Sequence, residues 1–276
     1  MTTQSTKKDI KELALLSDLH LDRASKEAKS RLWDMLAGIR YDAALITGDI
    51  SVAAQLQNHL ALISRACWPR PVYFMVGNHD YFGASFAKVD RLVSETCNRH
   101  HNLIAVGAGE YIHLTEHTAM VAHRGWYDGQ GGLGARTLID TPDRHLIADF
   151  RNLSRCAFFA KLKDLGNESA RYFRLILPSA LRQYGTVLIA THVPPFWQGI
   201  CHSGGPCDWN RQPYFANISA GNVIASIARK FPQRRVIVHA GHTHSPVNVR
   251  LSGNLEIRVA GSQPGFPTLQ RVVQID

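Results

Sequence analysis

The sequence predicts a mixed α/β protein with two β-sheets, and three patterns support this fold class. Short, continuously apolar runs alternate with stretches of helical periodicity. Such runs, bounded by glycine and polar residues, are typical of strands that are buried on both faces of a sheet. Their alternation with helices indicates βαβ crossovers and a largely parallel inner sheet. Other segments alternate apolar and polar residues, as antiparallel strands do, so we expect a second sheet.

The predicted elements follow one another in a regular order along the chain. Strand-like apolar runs occupy residues 13–17, 43–47, 72–76, 186–191 and 236–240. Helical periodicity predicts helices over 26–39, 52–66 and 84–97. Antiparallel hairpin strands are expected in 111–122, 247–261 and 269–275, with residues 252–254 as the turn of one hairpin. No internal repeat or linker-like segment divides the chain, so residues 1–276 are interpreted as one domain.

Composition and charge narrow the class of protein. With 45% hydrophobic and 19% charged residues, the chain has the profile of a soluble globular protein. No apolar run approaches the ~20 residues that span a bilayer, and the first residues do not resemble a signal peptide, so we expect a cytoplasmic protein without a membrane span. Five scattered cysteines do not fit a disulfide framework. The net charge of +9 favours an anionic substrate, because positive surfaces attract phosphate-bearing molecules, nucleic acids among them.

Each of the five apolar runs is followed by side chains that can bind a metal ion. In chain order these are Asp18 and His20, then Asp49, then Asn78, then His192, and finally His242 and His244. In an open α/β sheet, sites assemble beyond the carboxyl ends of the strands, so we expect these side chains to converge. One Asp-x-His pattern alone is most often a cap or a surface pair. Five such clusters in succession favour a shared site.

The chemical types of these residues suit a pair of metal ions. Two aspartates, four histidines and one asparagine offer oxygen and imidazole donors without a thiolate, which favours Mn, Fe or Zn. Seven ligands exceed the coordination of one ion and suit two ions if one carboxylate bridges them. Such a centre stays positively charged and can accept a phosphate. Gly48, Gly77 and Gly241 precede ligands and are expected to let the backbone turn tightly into the site.

The patterns D-x-H, GD, GNHD, H and GHTH, in this order over residues 18–244, resemble those of the calcineurin-like metallophosphoesterases, in particular their small single-domain bacterial members. The resemblance implies a four-layer αββα sandwich, in which two mixed sheets are flanked by helices and the metal pair lies at the carboxyl ends of the strands. It also implies two ligand sets that share Asp49 as a bridge. One set is Asp18, His20, Asp49 and His244, and the other is Asp49, Asn78, His192 and His242.

His79 and Asp80 complete the "GNHD" stretch, and the resemblance implies a catalytic role for them. His79 is expected to face the substrate, where it protonates the leaving oxygen or stabilises charge on the phosphoryl group. Asp80 is expected to hydrogen-bond the imidazole and to keep it oriented and protonated. The alternative is a buried His-Asp pair that only braces the loop.

The implied reaction is hydrolysis of phosphomonoesters or phosphodiesters, cyclic nucleotides included, by a hydroxide that bridges the two metals. The expected partner is therefore a phosphorylated small molecule or a nucleotide. One alternative is a Mn-dependent DNA or RNA nuclease of the same superfamily, which the basic net charge favours mildly. Another is a non-catalytic binding scaffold, which the complete set of seven ligands disfavours.

Two long loops, residues 123–129 and 193–210, lie near the ends of the ligand-bearing strands and are rich in aromatic residues and glycine. Loops of this kind often form the walls of a pocket. The candidate substrate contacts in them are Arg124, Trp126, Tyr127, Trp197 and His202. The alternative, that the aromatic residues pack the loops onto the protein body, remains open. His239 lies inside an apolar run and is expected in the core.

Overall fold

Eleven strands form two mixed β-sheets in the computed structural model, which describes residues 9–107, 109–200 and 208–276. The strands are β1 (Glu12–Leu16), β2 (Ala43–Thr47), β3 (Val72–Met75), β4 (Leu103–Ala105), β5 (Ile112–His113), β6 (Thr118–Ala122), β7 (Thr186–Ala190), β8 (Arg235–Ala240), β9 (Val247–Arg250), β10 (Leu255–Val259) and β11 (Arg271–Gln274). The first sheet has the order β11-β1-β2-β3-β4 and the second has the order β5-β6-β7-β8-β10-β9. Strands β1 to β4 are parallel to one another, as are β6, β7, β8 and β10.

Six α-helices occur in the described part of the chain, and most of them cover the outer faces of the two sheets. They are α1 (Lys26–Gly38), α2 (Ala53–Cys67), α3 (Phe86–Arg99), α4 (Pro142–Leu146), α5 (Arg155–Gln183) and α6 (Ile218–Lys230). A side-chain oxygen at the N-cap accepts the backbone N–H three residues later in four of them, which satisfies one of the free donors of the first turn. The capping residues are Ser25, Ser85, Ser154 and Asn217. No helix of the described part of the chain combines the length and the hydropathy needed to cross a lipid bilayer.

Strand β2 shows why the inner strands are apolar throughout. Ala44 and Ile46 pack with helices α1 and α2 on one side of the first sheet. Ala43 and Leu45 pack against the second sheet on the other side. A strand between a helical layer and another sheet buries both of its faces, so it tolerates no polar alternation. The layers are therefore helix, sheet, sheet and helix, with α5 and α6 closing the second sheet.

The structure confirms the predicted two-sheet αββα architecture and differs from the prediction in two details. The segment 269–275, expected as a hairpin strand, contains β11, which joins the edge of the first sheet antiparallel to β1. The hairpin 247–261 is confirmed as β9 and β10, and β10 also pairs in parallel with β8. The long helix α5 and helix α6 had not been predicted.

Candidate metal centre

Four side chains from the ends of three strands form one compact group. The ligand atoms of Asp18, His20, Asp49 and His244 all lie within 4.8 Å of one another. The Nε2 atoms of His20 and His244 are 2.9 Å apart, and His20 Nε2 is 3.7 Å from Asp49 Oδ2. Both aspartates and His20 are buried. The first ligand set suggested by the motifs is thus brought together.

A second group of donors meets around the amide oxygen of Asn78. This oxygen lies 3.0 Å from His192 Nε2 and 3.0 Å from His242 Nδ1. His192 Nε2 is in turn 3.4 Å from Asp49 Oδ1. The two carboxylate oxygens of Asp49 therefore face different groups, Oδ2 towards His20 and Oδ1 towards His192.

Hydrogen bonds on the outer side of two imidazoles determine which nitrogen faces the centre. His192 Nδ1 donates to the carbonyl of Thr47 at 2.8 Å. His242 Nε2 donates to the carbonyl of Tyr214 at 2.7 Å. Because a carbonyl only accepts, the opposite nitrogens, His192 Nε2 and His242 Nδ1, keep their lone pairs and direct them towards Asn78 and Asp49.

The electrostatics of this cluster fit a bound cation. Burial lowers the pKa of His20 to about 3, so its imidazole is neutral. Burial, followed by repulsion from the Asp18 and Asp80 carboxylates, raises the pKa of Asp49 well above its ordinary value. Imidazole lone pairs and buried carboxylates that converge on one space are unfavourable by themselves, and a metal ion is a partner that stabilises both.

The backbone at the cluster is strained at the predicted ligand residues themselves. Five of them adopt a left-handed conformation with positive φ, a region that non-glycine residues rarely enter. They are Asp18 (50°), His20 (41°), Asp49 (53°), His242 (72°) and His244 (59°). Hydrogen bonds between the loops hold this shape, for example from the N–H of Asp18 to the Gly48 carbonyl at 3.0 Å and from the N–H of His242 to Asp18 Oδ1 at 2.8 Å. Strain of this kind is characteristic of functional sites.

The three glycines before the ligands are required for two different reasons. Gly48 has a φ of 100°, so the expected tight turn is found there. A Cβ atom at Gly77 would lie 2.3 Å from Asp49 Oδ1, and one at Gly241 would lie 2.3 Å from Asp18 Oδ2. At these two positions the absence of a side chain makes room for the ligand carboxylates.

His79 lies beside the centre, but the interaction expected for Asp80 is not formed. The N–H of His79 donates to Asp49 Oδ1 at 2.9 Å, and His79 Nε2 lies 4.0 Å from Asp49 Oδ2. The predicted Asp80–His79 hydrogen bond is wrong, because the Asp80 carboxylate accepts the backbone N–H groups of Gly77 and Ser51, each at 2.8 Å.

The expected protonation of His79 is not supported either. His79 Nδ1 is buried and has no hydrogen-bond partner in the part of the chain that the structure describes. Burial, followed by the neighbouring His20 and Arg23, lowers the pKa of His79 to about 2. Asp80 therefore holds the loop through backbone N–H groups. The His-Asp pair of the alternative interpretation is not formed among the described residues either.

Two of the candidate substrate contacts lie away from the centre. Trp126 is 4% exposed and packs edge-on against the rings of Tyr81 and Phe86 in the core. Arg124 donates to the Tyr81 hydroxyl at 2.8 Å and pairs with Asp90 at 3.2 Å, on the wall of a different cavity. The prediction of substrate contact is wrong for both, since neither side chain lines the cleft next to the centre.

The other residues named in the sequence analysis lie in different environments. Tyr127 is buried and also borders the cleft next to the centre. His202 lies outside the described residues. Trp197 is exposed, and His239 is buried as expected.

Asp143, on α4, is a site residue that sequence reasoning missed. Its Oδ1 accepts a hydrogen bond from Asn78 Nδ2 at 3.1 Å, and its Oδ2 accepts one from the Tyr127 hydroxyl at 2.6 Å. Because the amide nitrogen of Asn78 is engaged by Asp143, the amide oxygen points towards His192 and His242. No spacing or strand context marks this aspartate in the sequence.

The chain belongs to the calcineurin-like phosphoesterase family, because a sequence model of that family matches residues 12–246. Two solved structures share its fold. A phosphopantetheinyl hydrolase from Mycobacterium tuberculosis has a TM-score of 0.63 and 14% identity, covering 93% of this chain and 94% of that chain. A dimetal phosphatase from Danio rerio has a TM-score of 0.60 and 12% identity, covering 97% and 93% respectively. No curated protein shows significant sequence similarity to the chain.

Proposed function

We propose that this protein is a dimetal hydrolase of small phosphate esters, with the seven predicted ligands holding two metal ions. The observation that carries the proposal is the position of Asp49 between two groups of donors. Its Oδ2 is 3.7 Å from His20 Nε2 and its Oδ1 is 3.4 Å from His192 Nε2. A carboxylate that presents one oxygen to each group suits a ligand shared by two ions.

The proposed ligand sets follow the two groups. One ion is assigned to Asp18, His20, Asp49 and His244, and the other to Asp49, Asn78, His192 and His242. Oxygen and imidazole donors without a thiolate favour Mn, Fe or Zn. Asp143 is proposed as a positioning residue, because its carboxylate holds the Asn78 amide with the oxygen inward.

Two bound ions would lower the pKa of a water molecule held between them and neutralise the phosphoryl oxygens. We assign to His79 the stabilisation of the phosphoryl group or of the departing oxygen. Its Nε2 is directed to the same space as the Asp49 carboxylate, and its ring packs against Phe82 with the ring centroids 4.3 Å apart. A neutral imidazole in this position can donate one hydrogen bond to the phosphoryl group or to the departing oxygen. Asp80 acts at a distance by fixing the loop that carries His79.

A small substrate is favoured over a nucleic acid. Among the described residues that line the cleft next to the centre, Arg211 is the one arginine or lysine. Binding of a nucleic-acid backbone normally depends on several basic side chains along a groove. The net charge of +9 is therefore a property of the whole surface.

The decisive experiment replaces Asp49. We expect Asp49→Asn to lose metal from both positions and to lower kcat/KM by roughly 10³-fold, because metal-ion charge stabilisation contributes several kcal/mol. Metal content and hydrolysis of 4-nitrophenyl phosphate and bis(4-nitrophenyl) phosphate are measured with Mn²⁺, Fe²⁺ and Zn²⁺. Asp164→Asn, on the exposed side of α5, is the matched control and is expected to match the unmodified protein.

Two outcomes of this experiment count against the proposal. One is an Asp49→Asn protein that keeps both its metal and its rate. The other is an unmodified protein that degrades single-stranded DNA with Mn²⁺ but spares both aryl phosphates, which favours the nuclease alternative.

A further inference from the structure

The cleft next to the metal centre has an outer wall built from two loops. A cavity of about 330 Å³ has Asn78, His242 and His244 on its inner side. Residues 139–143 line one wall and residues 211–215 contribute to the other. This volume lies within the range of small-molecule sites.

The loop that carries Arg211 is attached to the metal centre by hydrogen bonds. The carbonyl of Tyr214 accepts from His242 Nε2 at 2.7 Å, and the N–H of Tyr214 donates to the Arg211 carbonyl at 3.0 Å. The Tyr214 hydroxyl donates to the carbonyl of Ile139 on the opposite wall at 2.9 Å. The backbone of Arg211 is therefore held at a defined place relative to His242.

The charged groups of the cleft other than Arg211 have partners. Asp140 Oδ2 lies 3.3 Å from Arg144 Nη1 and 2.9 Å from His145 Nε2. Asp143 accepts hydrogen bonds from Asn78 and Tyr127, as described above. The Arg211 side chain is exposed, lines the cavity and has no ion pair among the residues that the structure describes. The outer part of the cleft therefore presents an uncompensated positive charge.

The cleft that Arg211 lines also offers an apolar surface. Ile139, Pro142 and Phe215 line the cavity, and the Phe215 ring lies edge-on to the His242 ring at 5.6 Å between centroids. Such a surface suits the organic part of a substrate, because aromatic rings contribute contact area at low cost in conformational entropy.

We propose that Arg211 forms a second phosphate-binding subsite, so that the preferred substrates are small molecules carrying two phosphate groups. One phosphate is hydrolysed at the metal centre and the other pairs with the Arg211 guanidinium, whose planar fork suits phosphate oxygens. This inference rests on the proposed function, since it assigns the metal centre to the first phosphate.

The test compares two substrates that differ by one phosphate, adenosine 3′,5′-bisphosphate and adenosine 5′-monophosphate. We expect the metal-loaded protein to prefer the bisphosphate, measured as the ratio of kcat/KM values at low ionic strength. Arg211→Ala should lower that ratio by about 10- to 100-fold, because hydrogen bonds to charged groups contribute ~1.5–3 kcal/mol. Arg211→Lys should restore part of the ratio, since it keeps the charge without the fork. Arg136→Ala, at an exposed arginine that is not among the residues lining the cavity, is the matched control and should leave the ratio unchanged.

Calorimetric binding of the same two nucleotides gives a ratio of Kd values that does not depend on turnover. The subsite is ruled out if Arg211→Ala has the same kcat/KM ratio and the same Kd ratio as the unmodified protein. A protein that binds the bisphosphate through Arg211 but hydrolyses no phosphate ester with any metal would instead overturn the proposed function and leave the subsite supported.

Discussion

The loop after β3 (residues 76–81) and the loop after β6 (residues 123–129) contain similar residue types but lie in different environments. Each follows a parallel strand and contains glycine, histidine and aspartate. The first presents Asn78 and His79 to the metal centre. The second turns into the core, where Trp126 is 4% exposed. Both strands pair in parallel with a strand that precedes a predicted ligand, so neither residue types nor strand position alone decides the role of the loop.

The loop after β6 supports the loop after β3. Its Arg124 donates to the hydroxyl of Tyr81 at 2.8 Å, and its Trp126 ring lies 5.8 Å from the Tyr81 ring. Tyr127 contacts the candidate centre in two ways, through its ring, which stacks on His242 with the centroids 5.9 Å apart, and through the Asp143 carboxylate that orients Asn78. Changes in the first loop should thus affect catalysis directly, and changes in the second, apart from Tyr127, should act mainly through stability.

The largest effect is expected at Gly77, in the first loop. A Cβ atom there would lie 2.3 Å from Asp49 Oδ1 and 2.7 Å from His192 Cε1, so Gly77→Ala must displace ligands of both groups. We expect a loss of roughly 10³-fold or more in kcat/KM together with bound metal, the same scale as for loss of the metal ions themselves. Metal analysis and circular dichroism accompany the kinetics. Gly253→Ala is the control, because a Cβ atom there meets nothing within 4 Å.

A smaller effect is expected for His79→Ala. Since His79 is proposed to act on the substrate and is not assigned as a ligand, the variant should keep its metal and lose about 10²-fold in kcat, the lower end of acid–base contributions. Single-turnover kinetics and metal content are the measurements. A variant with full metal and an unchanged rate would remove His79 from the mechanism.

The smallest effect is expected for His123, the histidine of the second loop. Burial lowers its pKa to about 4, and its Nδ1 accepts the N–H of Gly125 at 3.1 Å. The unfolded chain binds this proton at an ordinary pKa near 6.5, so stability is complete above that value and falls as the pH drops towards 4. His123→Asn keeps an acceptor that does not titrate, so unfolding free energies at pH 8 and pH 5 should differ by roughly 1–2 kcal/mol less than in the unmodified protein.

Two further measurements complete the comparison at His123. His117→Asn, at an exposed site, is expected to leave the pH dependence unchanged. Phosphatase activity of His123→Asn at pH 8 should stay close to that of the unmodified protein. If the unfolding free energy depended on pH in the same way in all three proteins, His123 would not contribute to the loss of stability at low pH.

The sequence predicted the inner part of the site because parallel strands bring their carboxyl ends to one edge. Asp18 and His192 follow an apolar run directly and Asp49 follows one after Gly48, so strand context identifies them. The tight turn at Gly48 could also be predicted from the sequence. The reason why residue 77 must be a glycine could not be predicted, because it depends on the Asp49 carboxylate, which follows a different strand.

The outer part of the site was not predictable in this way. Asp143 and Arg211 lie on segments that follow no strand, and their positions depend on hydrogen bonds between distant loops. Trp126 was misassigned because an aromatic loop residue suits a pocket wall and a core equally well. For α5 a signal existed, since its buried residues Phe158, Leu162 and Phe173 recur at helical spacing.

The left-handed backbone at the five predicted ligand positions has a consequence for which substitutions they tolerate. Each such residue costs ~1–3 kcal/mol, which the sandwich around it must offset. Glycine would relieve that cost at any of the five positions but would delete a predicted metal ligand. Stability and metal binding therefore place opposing demands on these five positions.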